Sequence, residues 1–479
     1  MNEIRDLIIG IDFGKEFSQI SYYDRKAGEP LSVSMKVGSS QFEAPTLLCR
    51  RIEQDDFCVG LEAKYFGKEK GGILVERLYE ICEKEEAVQV AGVNYEPWEL
   101  LAHFLKGMIR FLGIVDIVKN TKCVVLTSRN LTAVQVQNFQ KAFGKLKFPA
   151  EKVMLMDYCE SFYYYTMTQK RETWNRSIGW YDFKGDKVIF RKLSLNSATK
   201  PILVRISDPV ETILGDEEQR DEDFCDFIKK TLQKELFSNI QITGEGFDQS
   251  WAENSVKLLC FQKRKVYFGN NLFAKGACAA GVERMENKAL KSYRYLSNSL
   301  VLVDVGMEMR VMGSPTYHSL IEAGTNWYES RCHCEFILDR VKELVFVVST
   351  MGSSEKKKIA MELPDLPERP NKTTRISLDL EFESAKKCRI IAKDLGFGEM
   401  FPSSGKVWEE VTNWGDVDIK DLGKPEIIIK KEKEKDTVSK LEESLEKELQ
   451  EKEKNTIKVD DLWEKSGLAK AISRRVEEM

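Results

Sequence analysis

Residues Leu7 to Tyr23 read LIIGIDFGKEFSQISYY, and the fold turns on how this stretch is read. An apolar run, Leu7, Ile8, Ile9 and Ile11, leads into Asp12-Phe13-Gly14, and a second strand-like run follows from Ser18 to Tyr23. Two strands joined by an acidic, glycine-bearing turn make a hairpin. Gly14 lets backbone N–H groups approach a phosphate. Asp12 can hold a magnesium ion through water, since hard divalent cations prefer carboxylate and water oxygens. Taken alone the pattern is also that of an ordinary hairpin, so the order of the later motifs carries the weight.

The same arrangement returns at Ile178–Asp182 and Lys187–Leu193, which flank a turn through Phe183-Lys184-Gly185-Asp186. Between the two hairpins, Pro97 to Leu112 places Leu100, Leu101, Phe104, Leu105, Met108 and Ile109 at helical spacing, with Pro97 in the first turn. Lys122 to Thr127 and Val153 to Met156 read as strands. Asn130 or Thr132 caps the helix that follows the first of them. Asp157 to Met167 reads as a helix whose aromatic run, Phe162 to Tyr165, belongs to a core. After the second hairpin, Asp221 to Phe237 reads as a helix and Ile240 to Thr243 as a strand ending in Gly244-Glu245-Gly246. A helix over Ser250 to Leu259 and a small-residue helix through Ala274-Lys275-Gly276-Ala277 follow. From Ser299 helical periodicity gives way to short strand-like runs as far as Trp414, which reads as an all-β sandwich. Beyond Gly415 the chain is dominated by Lys and Glu, a charged tail that is either helical or disordered.

Composition limits the function classes. The chain has 479 residues, 42% hydrophobic and 31% charged, as expected of a globular protein with more than one domain. A formal net charge of −4 gives no electrostatic case for nucleic acid. Eleven scattered cysteines, an odd number, suit a reducing cytoplasm rather than a disulfide framework. No apolar run is long enough to span a membrane, and no leader pattern opens the chain. Three histidines leave no Ser-His-Asp or Cys-His arrangement, and Cys332-His333-Cys334 lacks a fourth ligand for structural zinc.

The order of these motifs resembles the actin-like ATPase superfamily. The C-terminal part narrows the likeness to the 70-kDa heat-shock (DnaK-type) chaperones. Leu300-Val301-Leu302-Val303-Asp304-Val305 resembles their interdomain linker, and Ser319 to Thr325 resembles the opening of their substrate domain. Met361 to Pro367 and Ile376 to Asp394 resemble two further stretches of it. The likeness runs from about Ile8 to Pro402.

It implies a two-lobed α/β actin-like ATPase domain over residues 1–297 and a linker over 298–306, although Leu300 to Val305 can also be read as simply the first strand of the β domain. A β-sandwich, substrate-binding-like domain over 307–414 and the charged tail over 415–479 complete the chain. It also implies ATP or ADP with Mg2+ as cofactors. Asp12, Gly14 and Lys15 would serve the first phosphate loop, and Asp182 and Gly185 the second. Asp12 and Asp182 would hold the metal and, with Glu160, the catalytic roles. Gly244 and Gly246 would touch the nucleoside, and Gly276 would match the glycine of the family's small-residue helix. The implied partners are unfolded or extended peptide segments, or a protein partner, with a co-chaperone in attendance.

This sequence also departs from the pattern. Lys15 and Glu16 replace paired threonines, the catalytic lysine falls near Glu76 and Arg77, and the water-orienting glutamate falls near Tyr158, two residues before Glu160. Two functions are therefore expected in competition. One is a heat-shock-type chaperone with at most a weak ATPase. The other is a catalytically degenerate nucleotide-binding scaffold on the same fold.

Overall fold

The computed structural model describes residues 6–414, apart from 37, 69–70, 234, 262–263, 288, 312–313 and 352–355. The charged tail, 415–479, lies outside the described residues.

The first hairpin forms as its sequence dictates. Strand β1 (Leu7–Phe13) pairs antiparallel with β2 (Phe17–Asp24), and β2 with β3 (Glu29–Ser32). Helix α1 (Pro97–Arg110) follows, then β4 (Thr121–Ser128), parallel to β1. Thr132 caps α2 (Ala133–Lys145) through a capping box with Gln135. Strand β5 (Val153–Asp157) lies parallel to β4 and leads directly into α3 (Tyr158–Met167), capped by Asp157.

A second pass through the same plan follows. Strands β6 (Ser177–Lys184), β7 (Lys187–Asn196) and β8 (Ile202–Ile206) form an antiparallel meander. Helix α4 (Arg220–Leu232) precedes β9 (Phe237–Glu245), which is parallel to β6. Helix α5 (Glu253–Leu259) precedes β10 (Lys265–Phe268), parallel to β9, and α6 (Leu272–Val282) closes the pass. The central strand orders are β5-β4-β1-β2-β3 and β10-β9-β6-β7-β8, with the same pattern of parallel and antiparallel neighbours. The α/β part is thus a structural duplication.

Alternation along each central strand sends its two faces to different helices. Ile9, Ile11 and Phe13 pack on Leu101, Phe104 and Phe139 of α1 and α2. Cys123, Val125 and Met156 pack on Ala277 and Ala280 of α6, and Ile8 on Cys278. In the second sheet, Trp180 and Ile178 meet Phe162 and Phe273, while Tyr181 and Phe183 meet Phe224 and Phe227 of α4. Helices α3 and α6 therefore stand between the two sheets. Their close approach explains the small residues of α6: a methyl group on Gly276 would overlap the Ser161 carbonyl oxygen, and Ser161 Oγ donates to the Phe273 carbonyl at 2.6 Å.

The C-terminal region holds two four-stranded antiparallel sheets. One comprises β11 (Val303–Val311), β12 (Ser314–Ile321), β14 (Glu343–Thr350) and β15 (Lys356–Glu362), in the order β12-β11-β14-β15. The other comprises β13 (Arg331–Ile337), β16 (Arg375–Phe382), β17 (Lys387–Gly396) and β18 (Val407–Asn413), in chain order. Val305, Phe346 and Val348 of the first share a core with Ile376, Leu378 and Ile390 of the second.

The stretch Leu300 to Val305, expected as a linker, is built into this region instead. Val301 N–H bonds to the Thr325 carbonyl, Met351 N–H to that of Leu302, and Val303 opens β11. Val301, Leu302, Val303 and Val305 are all buried. Apolar residues in a linker need somewhere to dock, and here the sheet they begin provides it. Two helices are also shorter than their periodicity suggests. The one expected over 221–237 stops at Leu232 because Phe237 opens β9. The one expected over 250–259 begins at Glu253.

Candidate functional site

The duplication places Asp12 and Asp182 at equivalent points. Asp12 is in register with Thr127 of β4, and Asp182 with Thr243 of β9. Each carboxylate sits beside a threonine at the carboxyl end of a parallel strand, where open α/β sheets place their ligands. Both are buried, Asp12 at 4% exposure and Asp182 at 0%.

Each has acquired an internal partner. Arg129, the residue after β4, forks onto Asp182 with both terminal nitrogens, and Thr243 Oγ1 donates to the same carboxylate at 3.1 Å. Trp180 Nε1 in turn donates to Thr243 Oγ1 at 2.8 Å. On the other side Tyr158 donates its hydroxyl to Asp12 Oδ1 at 2.6 Å. The Tyr158 ring stacks on Phe273 with centroids 3.9 Å apart, and the Arg129 guanidinium lies 5.3 Å from its centroid. Asp12, Tyr158, Arg129 and Asp182 thus form one chain across the junction of the two halves.

The electrostatics follow from burial. Burial pushes the Asp12 carboxyl up to about 7, against the hydrogen bond from Tyr158 and the charge of Arg129. Burial and the Asp12 charge push the Tyr158 phenol well above its ordinary range. The two halves of the site are unequally satisfied. Thr243 is fully used, whereas Thr127 Oγ1 and Gln19 Oε1, both on residues in register with Asp12, are enclosed without a partner.

The expected loop residues have other tasks. Lys15 is exposed and pairs with Glu80 at 3.1 Å, and Arg77 joins the same carboxylate at 3.5 Å. A methyl group on Gly14 would overlap the Phe17 carbonyl and come within 3.2 Å of the Tyr158 hydroxyl, so the phenol lies directly over the first loop. Gly185 N–H bonds to the Glu245 carbonyl at 2.8 Å. A side chain on Gly244 would strike the Phe183 carbonyl, and one on Gly246 that of Gly185. These glycines let neighbouring backbones touch. Asn270 accepts from Gly244 N–H at 2.6 Å and donates at 3.0 Å to Glu43 Oε1, which Gln19 Nε2 also reaches. Glu245 is raised by burial and by the charges of Glu16 and Glu43, which marks an acidic mouth.

Glu160 is not brought to this site. Two positions along α3 from Tyr158 is about 200° around the helix, so when Tyr158 faces Asp12, Glu160 faces away. Its Oε2 accepts from Asn326 Nδ2 and the Tyr328 hydroxyl, each at 3.1 Å. Burial and the neighbouring Asp157 push it up to about 8. Among the described residues no group of three His, Cys, Asp or Glu stands ready for a metal. His333 pairs instead with Asp379 at 2.6 Å.

Arg129 was not among the residues expected from sequence. It is a single arginine in a loop whose partner lies 53 residues away. The available signal was its place just past the carboxyl end of a buried parallel strand.

The molecule is a mixed α/β protein with a duplicated sheet plan, a pair of internally partnered carboxylates and a β-rich C-terminal region. Residues 29–298, more than half of the chain, match the C-terminal part of a family of unknown function (DUF5716), and the chain belongs to that family. Residues 300–414 match a domain of unknown function (DUF8552). No curated protein matches the chain. Among the described residues no helix is long and apolar enough to cross a membrane.

Proposed function

We propose that this protein is a catalytically degenerate relative of the actin-like ATPases, closest in plan to the 70-kDa heat-shock chaperones, and that it works as an interaction scaffold. The duplicated strand order supports the actin-like reading, and the β-rich region behind it supports the narrower one. The observation that carries degeneracy is the Arg129 fork on Asp182, with Tyr158 closed over Asp12 and Gly14.

A magnesium polyphosphate needs free carboxylate oxygens for its metal and free cations for its phosphates. Arg129 supplies Asp182 with the charge that a metal would supply. Burial raises the Asp12 carboxyl to about 7, so a metal would have to displace a proton held more tightly than that of an ordinary carboxylate. Lys15 and Arg77 are committed to Glu80, and Glu16, Glu43 and Glu245 set like charge against phosphate. The orphaned oxygens of Thr127 and Gln19 suit a water or a lone cation beside Asp12 better than a nucleotide. The free thiols support a cytoplasmic setting.

The chaperone reading keeps one specific support. Strand β12 lies at a sheet edge, and its residues from Ser314 to Ser319 are exposed. An extended peptide can add to such an edge through main-chain hydrogen bonds. Anisotropy of a labelled extended apolar peptide, with and without MgATP, separates the readings. The scaffold reading expects the same affinity in both conditions. A nucleotide-dependent change in affinity overturns it and installs the chaperone.

A further inference from the structure

A cavity of about 470 Å³ lies away from the two aspartates, between α3, residues 283–284 and 290–297, and the first loop of the β-rich region. Its walls are polarised. Two oxygens of its lining residues have no hydrogen-bond donor among the described residues. Glu160 takes both of its hydrogen bonds on Oε2, which leaves Oε1 free. Tyr163 is 3% exposed, and its hydroxyl has no partner among the described residues. The Tyr163 ring stacks on Tyr295 with centroids 4.7 Å apart, which adds π faces to the same wall. The cations are elsewhere. Arg284 is committed to Glu329 at 2.8 Å. Lys291 and Arg294 are exposed, line the cavity and have no ion pair among the described residues.

We propose that this cavity binds a small zwitterion, its ammonium group set against Glu160 and Tyr163 and its carboxylate against Lys291 and Arg294. An ammonium donates in three directions and accepts in none, which suits two oxygens that no donor occupies. Aromatic faces attract the same charge. The rim cations hold the opposite end as a charge-assisted pair. The volume falls in the range of small-molecule sites, with room for an amino acid or a dipeptide. Glu160 and Tyr163 belong to α3, and Glu160 accepts hydrogen bonds from Asn326 and Tyr328 of the β-rich region. A bound zwitterion therefore joins the two parts of the protein at a point independent of the aspartate site.

Calorimetry on the full chain near pH 9, above the Glu160 value of about 8 and below the range in which alkyl ammonium groups lose their proton, tests this with three probes of one skeleton: 6-aminohexanoate, hexylamine and hexanoate. The proposal expects 6-aminohexanoate to bind most tightly, hexylamine less tightly, and hexanoate not at all. Glu160→Gln keeps an oxygen for Asn326 and Tyr328 but removes the charge, and should weaken both amines about tenfold or more. Replacing both Lys291 and Arg294 with Ala, on the exposed rim, should bring 6-aminohexanoate down to the level of hexylamine and leave hexylamine unchanged. Three results each overturn the proposal: no binding by any probe, hexanoate binding as well as hexylamine, or a Glu160→Gln protein that binds both amines like the parent.

Discussion

Removing Arg129 tests the internal pairing of the aspartate site most sharply. In Arg129→Ala the Asp182 carboxylate, fully buried, loses the cation that forks onto it. Breaking a buried ion pair from one side costs about 3–5 kcal/mol, because the charge left behind cannot reach water. Thr243 Oγ1 still donates to Asp182, which places the expected loss near the lower end of that range. The lost cation–π contact with Tyr158 adds about 0.5–1 kcal/mol. The converse variant, Asp182→Asn, should cost less, since the Arg129 side chain is 30% exposed and can turn to solvent. Combining the two should recover most of the loss and give a strongly favourable coupling in a double-mutant cycle. Urea unfolding followed by tryptophan fluorescence reads all four proteins, with Trp180 reporting beside the site. If Arg129→Ala unfolds within about 0.5 kcal/mol of the parent, as a surface substitution would, the reasoning fails. Asp182 would then be partnered in some other way.

Other consequences follow from the same geometry. The equivalent threonines should respond in opposite senses: Thr127→Val removes an orphaned hydroxyl and should be neutral or stabilising, whereas Thr243→Val strips a donor from Asp182 and an acceptor from Trp180 and should cost about 1–3 kcal/mol. Denaturant melts of both variants check this. Glu160 has a native pKa raised to about 8 from an ordinary 4.5, so the folded state holds its proton more tightly than the unfolded state. Its stabilising contribution is complete below about 4.5 and is lost as pH rises through about 8. Asp12 acts in the same direction between 3.8 and about 7. Melts of Glu160→Gln between pH 7 and 8 should therefore be flatter than those of the parent, and an unchanged slope would refute the assignment. Gly276→Ala puts a methyl group against the Ser161 carbonyl between α3 and α6, and should cost about 1–3 kcal/mol in the same assay.

How much of this was legible beforehand depends on how local each signal is. The two hairpins, the Thr132 cap and the helix opened by Pro97 are written in adjacent residues, and the structure forms all of them. Strands β8 and β10 are short and half exposed, and β12 carries Thr316, Tyr317, His318 and Ser319 on solvent-facing positions. None of them shows the alternation by which a strand is read. Leu300 to Val305 is apolar whether it docks as a linker or begins a sheet, so hydropathy could not separate the two. At the site, Asp12 and Asp182 were legible as a pair because the duplicated hairpins repeat them. Their partners were not, since Arg129 and Tyr158 reach them across 53 and 146 residues. The placement of Glu160 failed for a geometric reason, because two residues on a helix point to opposite sides.

The claim on which the account rests is that internal partners occupy the positions a magnesium nucleotide would need. Calorimetric titration of MgATP into the parent protein measures this directly. The account predicts no saturable heat with or without magnesium, and the same result for MgADP. Saturable, magnesium-dependent binding that Asp12→Ala and Asp182→Ala each weaken would contradict it, and would return the site to the nucleotide.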